Sequence, residues 1–308
     1  MSELKVLAEG LRFPEGPVAL PDGSIALVEI AAQVVSRIAP DGTRSVIARP
    51  GGGPNGLAMG PGGQLYLCNN GGFGWHEEPG LLRPTHQPED YSGGRIERID
   101  PATGAVTVLY TECDGRPLRG PNDLVFDNQG GFWFTDLGKV RARDRDHGGV
   151  YWAAADGSRI VEAAHPIPGG GNGIGLSPDG RTLYVAETET GRLWSWEILG
   201  PGKLRKNPWP VVHGGTLVCQ FPGFRRLDSL AVTAAGNICV ATLVSGEITT
   251  VSPDGQILHV EKMPEVMPTN ICFGGTDRRT AYITLSTTGK LVSMPWHEAG
   301  LVLNHETA

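Results

Sequence analysis

The sequence predicts an all-β fold, a six-bladed β-propeller, and three observations carry that reading. One phrase occurs six times: a small polar opening, an apolar run, a Pro/Asp/Gly turn, then a second apolar run. The turns hold DG, GG or AG pairs, which supply the positive φ that tight hairpins need. A third strand of the type GxIxxIxPDG follows, as in SGGRIERIDPATG and SGEITTVSPDG, and often a fourth, such as AVTVLYTE or QILHVEK. Four short strands per unit and six units make a propeller blade count.

The copies run in order along the chain. They are EGPVALPDGSIALVE from Glu15, PNGLAMGPGGQLYLCN from Pro54, PNDLVFDNQGGFWFTD from Pro121, GNGIGLSPDGRTLYVAET from Gly171, LDSLAVTAAGNICVAT from Leu227 and TNICFGGTDRRTAYIT from Thr269. Their opening residues are Glu15, Asn55, Asn122, Asn172, Asp228 and Asn270, at intervals of 40, 67, 50, 56 and 42. The short intervals fit a bare four-stranded blade and the longer ones hold loop insertions. The largest insertion, about residues 73–92 in the second unit, is rich in Pro, Glu, His and aromatics and is long enough to form a lid. Ring closure needs an outer strand for the sixth unit. Both LKVLAE near the start and GLVLNH near the end could supply it; the N-terminal segment is favoured because it pins the ring shut. No linker or shift in composition divides residues 1–308, which read as one domain.

Composition narrows the function classes. The 45 glycines and 24 prolines accompany an apolar fraction of 40 %, which means many turns around a core and not a disordered chain. A net charge of −7 offers no basic footprint for nucleic acid or for an anionic membrane. No apolar run approaches the length of a membrane span, and MSELKVLAEGLRF lacks the pattern of a secretory signal, so a cytoplasmic location is expected. The five cysteines are odd in number and form no CxxC, which points to structural thiols instead of a disulfide framework or zinc knuckle.

The innermost strand of each propeller blade starts at one face of the central channel, so the six opening residues form a ring about the axis. Asn and Asp favour strand openings for local reasons, because they bond to nearby backbone, and one PNG would mean little. Six polar openings in phase with a six-fold repeat mean more. The set lacks thiols and imidazoles and is full of oxygen donors, which suits one hard divalent cation, calcium first, then magnesium or manganese. Zinc and iron(II) are not separated from these by the sequence, because availability decides as much as affinity.

The same residues carry a family resemblance. FPEGPVAL at Glu15, GPNDLVFDNQGGFWFTD at Asn122, GNGIGLSPDGRTLYVAET at Asn172 and LDSLAVTAAGNICVAT at Asp228 resemble the SMP-30/gluconolactonase/LRE family, which includes regucalcin-like lactonases and squid-type diisopropyl fluorophosphatase. The likeness spans all six units; the departure is GGGNGIG, where members more often read PNGIAFSPDG. The resemblance implies a six-bladed propeller with a catalytic divalent metal, usually calcium, that hydrolyses lactones or, in some members, organophosphates. It also implies that Glu15, Asn122, Asn172 and Asp228 are the metal ligands.

A cation of this kind polarises an ester carbonyl and stabilises the oxyanion formed on attack. Asp228 is the candidate base for the attacking water, although a nearby 2+ charge weakens any carboxylate as a base. Asn55, Asn122, Arg119 and Asn270 are candidate substrate contacts for sugar hydroxyls, His147 a proton carrier or contact at the pocket mouth, and Trp75 and His76 covering residues from the insertion. Asp123 and Ser229 stand beside ligands and are placed to orient them. No GxSxG or HExxH occurs, so a nucleophile-elbow hydrolase and a zincin lack support. The expected substrate is a small-molecule lactone, foremost a sugar-acid lactone. Aryl lactones or organophosphates are the alternatives, with a non-catalytic calcium-binding regulatory propeller as the competing class.

Overall fold

Each of the six phrases folds as the inner hairpin of an antiparallel sheet, four-stranded in five of them and five-stranded in the fourth. A computed structural model describes residues 4–306. The inner strands are Pro14–Ala19, Pro54–Met59, Pro121–Phe126, Gly171–Leu176, Arg226–Val232 and Pro268–Gly274, taken here as blades I to VI. In blade I the order continues outward through Ile25–Glu29, Val34–Ile38 and Arg44–Ala48, and the other blades repeat that path. Each inner strand lies beside the next, and that of blade VI returns to that of blade I, which closes the ring.

The outer strand of blade VI is the N-terminal segment Lys5–Ala8, paired antiparallel with Lys290–Pro295 through Lys5↔Ser293 and Val6↔Val292. Residues 300–306 do something else. The Leu301 N–H donates to the Val232 carbonyl (3.0 Å), the Asn304 amide to the Phe126 carbonyl (2.9 Å), and Arg278 pairs with Glu306 (2.5 Å). This segment therefore crosses the channel at the end of the inner strands opposite to their opening residues. Alternating apolar residues in GLVLNH fit either place, and the ring had room for only one outer strand.

The core lies between the blades as well as within them. Trp133, Val150 and Trp152 of blade III pack with Ile174, Val185, Trp194 and Trp196 of blade IV as one buried cluster. Burying one large apolar side chain of this kind contributes about 1.5–3 kcal/mol. Outermost strands are more exposed than the inner ones, as in Ile257–Lys262, whose residues are half-buried or exposed, because only one side of each has a neighbour. The cysteines are free, with Cys68, Cys113, Cys219 and Cys239 buried and Cys272 half-buried. Among the described residues no helix is long and apolar enough to cross a membrane.

Candidate functional site

Glycine sets how closely the opening residues gather. A Cβ on Gly16, after Glu15, would stand 2.6 Å from the Asn55 carbonyl oxygen; one on Gly56, after Asn55, 2.5 Å from that of Asn122; one on Gly173, after Asn172, 2.7 Å from that of Asp228. No side chain fits at these three places, so neighbouring inner strands meet backbone to backbone at the axis. In every blade the register between the first and second strands also slips near the opening residue, as between Pro121 and Leu124 or Leu227 and Leu230. Such irregularities re-aim side chains out of the regular pleat. All six opening residues are buried.

The hydrogen bonds sort these six. Glu15 accepts from the Gly16 N–H (2.8 Å) and from the Asn270 amide (3.0 Å), both at Oε2, and Oε1 has no bond among the described residues. Asn270 is thus tied to Glu15, and its own Oδ1 accepts from the Ile271 N–H at 2.8 Å. The Asn172 Nδ2 donates to the Thr188 hydroxyl (3.1 Å), which leaves Asn172 Oδ1 buried and without a partner. Asn122 and Asn55 are buried, and their side-chain amides make no hydrogen bond among the described residues. Behind the ring, Asp123 Oδ1 accepts from the Leu124 N–H (2.9 Å), and Ser229 lies close enough to donate to the same carboxyl.

Burial governs the charges. It pushes the Glu15 carboxyl up and the Asp228 carboxyl well up, the latter also under the Glu15 charge, while the Asn172 amide and Arg226 pull Asp228 the other way. Burial, with the Glu15 charge next, pushes Asp123 up to about 7. The site is a desolvated group of acids without a paired lysine or arginine of its own. Such a group calls for protons or a cation. The described residues contain no grouping of three or more carboxylate, imidazole or thiolate side chains able to hold an ion. A metal here would need the carboxamide oxygens, and the free Asn172 Oδ1 and Glu15 Oε1 suit that demand. Glu15, Asn122, Asn172 and Asp228 are the residues that could hold a hard divalent ion.

Below the ring an axial cavity of about 80 Å³ reaches from Gly16, Asp123 and Asn270 down to Leu301 and Leu303. Above it stand the loops. The insertion leaves blade II after Asn69, which pairs with Pro54, so it emerges at the end where Asn55 opens. It forms a hairpin of Trp75–Glu78 and Leu81–Pro84. The Leu82 N–H donates to the Thr287 carbonyl (3.1 Å), Glu77 pairs with Arg12, and the Gln87 N–H donates to the Val140 carbonyl (2.8 Å). It therefore spans blades VI, I and III. The Trp75 ring packs on Phe13 (5.3 Å) and Phe73 (6.2 Å), while His76 is about half exposed, 3.9 Å from Glu78. Arg119 and His147 are exposed near this end; Arg119 precedes Asn122 by three residues, and His147 precedes Gly148, which abuts Gly170 and Gly171 beside Asn172.

Sequence reasoning missed Lys139. It is fully buried, and its Nζ donates to Asn70 Oδ1 (3.0 Å) and the Gly72 carbonyl (2.7 Å) beneath the rings of Phe73 (4.1 Å) and Tyr91 (5.4 Å). Burial pushes its amine down to about 7, against the pull of Asp136 and Asp146. A lysine in RxRDRD-like loop sequence reads as solvated, and only its closeness to the insertion shows otherwise.

Fold and site together define a six-bladed propeller with an axial ring of oxygen donors at one mouth. Residues 13–287 match the family described as SMP-30/Gluconolactonase/LRE-like region, and the chain belongs to that family. It is 25 % identical to a gluconolactonase of Zymomonas mobilis over 92 % of this chain and 79 % of that one. It is 30 % identical to the diisopropyl-fluorophosphatase of Loligo vulgaris over 63 % of this chain and 62 % of that one. Among solved structures, a calcium-binding protein, regucalcin, from Agrobacterium tumefaciens superposes with a TM-score of 0.77 at 18 % identity, covering 100 % of this chain and 98 % of that one. That likeness is one of fold.

Proposed function

We propose that this chain is a divalent-metal-dependent lactonase that opens a sugar-acid lactone, with calcium the leading ion. The observation that carries the reading is the axial ring in which Asn172 Oδ1 is buried and unpartnered while its Nδ2 is held by Thr188. Its neighbours in the ring are acids raised by burial. Relatives named for gluconolactone and for lactone hydrolysis supply the reaction class. Glu15, Asn122, Asn172 and Asp228 would hold the ion. When bound, the ion supplies polarisation of the ester carbonyl and a lowered pKa for water.

The chain's own groups do the rest. Asp228, on the inner strand of blade V, takes the proton of the attacking water at a carboxylate oxygen. Asn122 presents amide hydrogens free of other partners, suited to a ring or carbonyl oxygen. Asn270 holds Glu15 in place through its amide, and Asn55 offers an unpaired amide at the wall. Arg119 and His147 meet hydroxyls at the rim. The insertion, through the hairpin bearing Trp75 and His76, covers one side of the mouth and limits water around the substrate.

A panel of sugar and aryl lactones with calcium, manganese or chelator tests this reading. Metal-loaded protein is expected to hydrolyse at least one sugar lactone, with Asp228→Asn lowering kcat by about 10²-fold or more and chelator abolishing turnover. Absence of hydrolysis with every metal and every lactone contradicts it. The likeness to the squid enzyme makes diisopropyl fluorophosphate a second substrate to include.

A further inference from the structure

The blade II insertion has a neck, and the neck closes on one side chain. Tyr91, near its end, lies so close to Gly71, before its start, that a Cβ on Gly71 would stand 2.4 Å from the ring. Lys139 enters from the loop after Gly131–Asp136, the second strand of blade III. Its Nζ lies over both the Phe73 ring (4.1 Å) and the Tyr91 ring (5.4 Å), and it donates to the Gly72 carbonyl (2.7 Å) and Asn70 Oδ1 (3.0 Å). Residues from both ends of the insertion thus meet one amine.

A lysine is almost never fully buried unless it is paired, and the acids around this one are engaged elsewhere. Asp136 accepts from the Arg119, Gly120 and Gly138 N–H groups at 2.7–2.8 Å. Asp146 pairs with Arg141 (3.0 and 3.1 Å) and accepts from the Lys139 backbone N–H (3.2 Å). From the insertion the titratable neighbour is the Tyr91 hydroxyl, and from blade II Asn70 and Gly72 bring no charge. The same contacts lead to two opening residues. Asn70 Oδ1 lies over Gly53, where a Cβ would stand 2.2 Å from it, and Gly53 precedes Asn55 by two residues. On the other side the Tyr91 hydroxyl donates to the Arg119 carbonyl (2.6 Å), three residues before Asn122.

We propose that Lys139 is a positioning residue that clasps both ends of the insertion and so sets how tightly the mouth is covered over a bound substrate. The substrate half of this rests on the lactonase reading; the clasp itself does not. Closure carries a proton cost with a definite sign. The closed neck lowers the amine to about 7, and opening returns it to water and toward its ordinary 10.5. Between those values the open form binds a proton that the closed form lacks, so closure strengthens as pH rises and loosens as pH falls toward 7. Below 7 both forms carry the proton and the dependence levels off.

Amide hydrogen exchange on the full chain tests the clasp without reference to turnover. The probes are the Gly74, Leu82, Thr85 and Gln87 N–H groups, which bond to the His86, Thr287, Gly74 and Val140 carbonyls. After correction for intrinsic rates, their opening equilibrium in the wild type is expected to fall about tenfold from pH 7 to 8.5. Lys139→Met keeps an apolar stem of similar length and removes the proton and both hydrogen bonds. Its profile should be flat over that range, and at pH 8.5 its opening about tenfold more frequent than in the wild type. A flat wild-type profile overturns the proposal, whether or not the variant folds, and so do parallel profiles for the two proteins. The second arm measures glucono-1,5-lactone with the calcium-loaded chain at pH 8, spontaneous hydrolysis subtracted. Lys139→Met should raise KM about fivefold while kcat changes less, and an unchanged KM overturns the link between clasp and substrate. No hydrolysis by the wild type contradicts the lactonase reading, and the exchange profile still decides the clasp.

Discussion

The Asn172 side chain shows how one residue can be prepared for a ligand. Its nitrogen is spent on the Thr188 hydroxyl, so its oxygen faces away from every donor among the described residues. A buried carbonyl oxygen left so costs about 1–3 kcal/mol unless something else meets it. Glu15 is held from the other direction, by the Asn270 amide from blade VI at 3.0 Å. Groups that orient a metal ligand in this way commonly matter by 10- to 100-fold. Asn270→Ala is therefore expected to weaken calcium binding by about tenfold in a calorimetric titration, and unchanged affinity would show that Asn270 only lines the wall. The six opening residues were legible because they recur in phase with the repeat. The Asn270–Glu15 bond was not, since 255 residues separate its partners and only ring closure joins them.

The insertion in blade II is an ordered hairpin whose contacts reach three other blades. Its base is fastened by Lys139, which meets Asn70, Gly72, Phe73 and Tyr91. Burial lowers that amine to about 7 from 10.5. Between those pH values the unfolded chain binds a proton that the folded chain lacks, so stability rises with pH across the window. One such group adds a slope of at most about 1.4 kcal/mol per pH unit. Unfolding midpoints measured from pH 7 to 10 should climb more steeply for the wild type than for Lys139→Met. Parallel profiles would place the lysine's charge in solvent-like surroundings. The length and composition of residues 73–92 made the insertion visible in the sequence. The lysine was invisible, because a loop carries no periodicity to say which side chains turn inward.

For the molecule as a whole, hairpins were readable because each one forms from neighbouring residues with alternating patterning and a turn of fixed chemistry. The placing of the two ends needed the closed ring. Lys5–Ala8 completes blade VI, and residues 300–306 seal the far mouth of the channel, leaving the other mouth with the ring and the insertion. Four blades far apart in sequence open their inner strands on Glu15, Asn122, Asn172 and Asp228 around one channel, and an ion held there would bind the folded chain and not the unfolded one. The direct measurement is calcium titration of chelator-stripped protein, for the wild type and Glu15→Gln/Asp228→Asn, followed by thermal unfolding. The account predicts one saturable site per wild-type chain, a raised midpoint at saturation, and loss of both in the variant. Absence of saturable binding by the wild type, or a variant that binds calcium with unchanged stoichiometry and affinity, would contradict it.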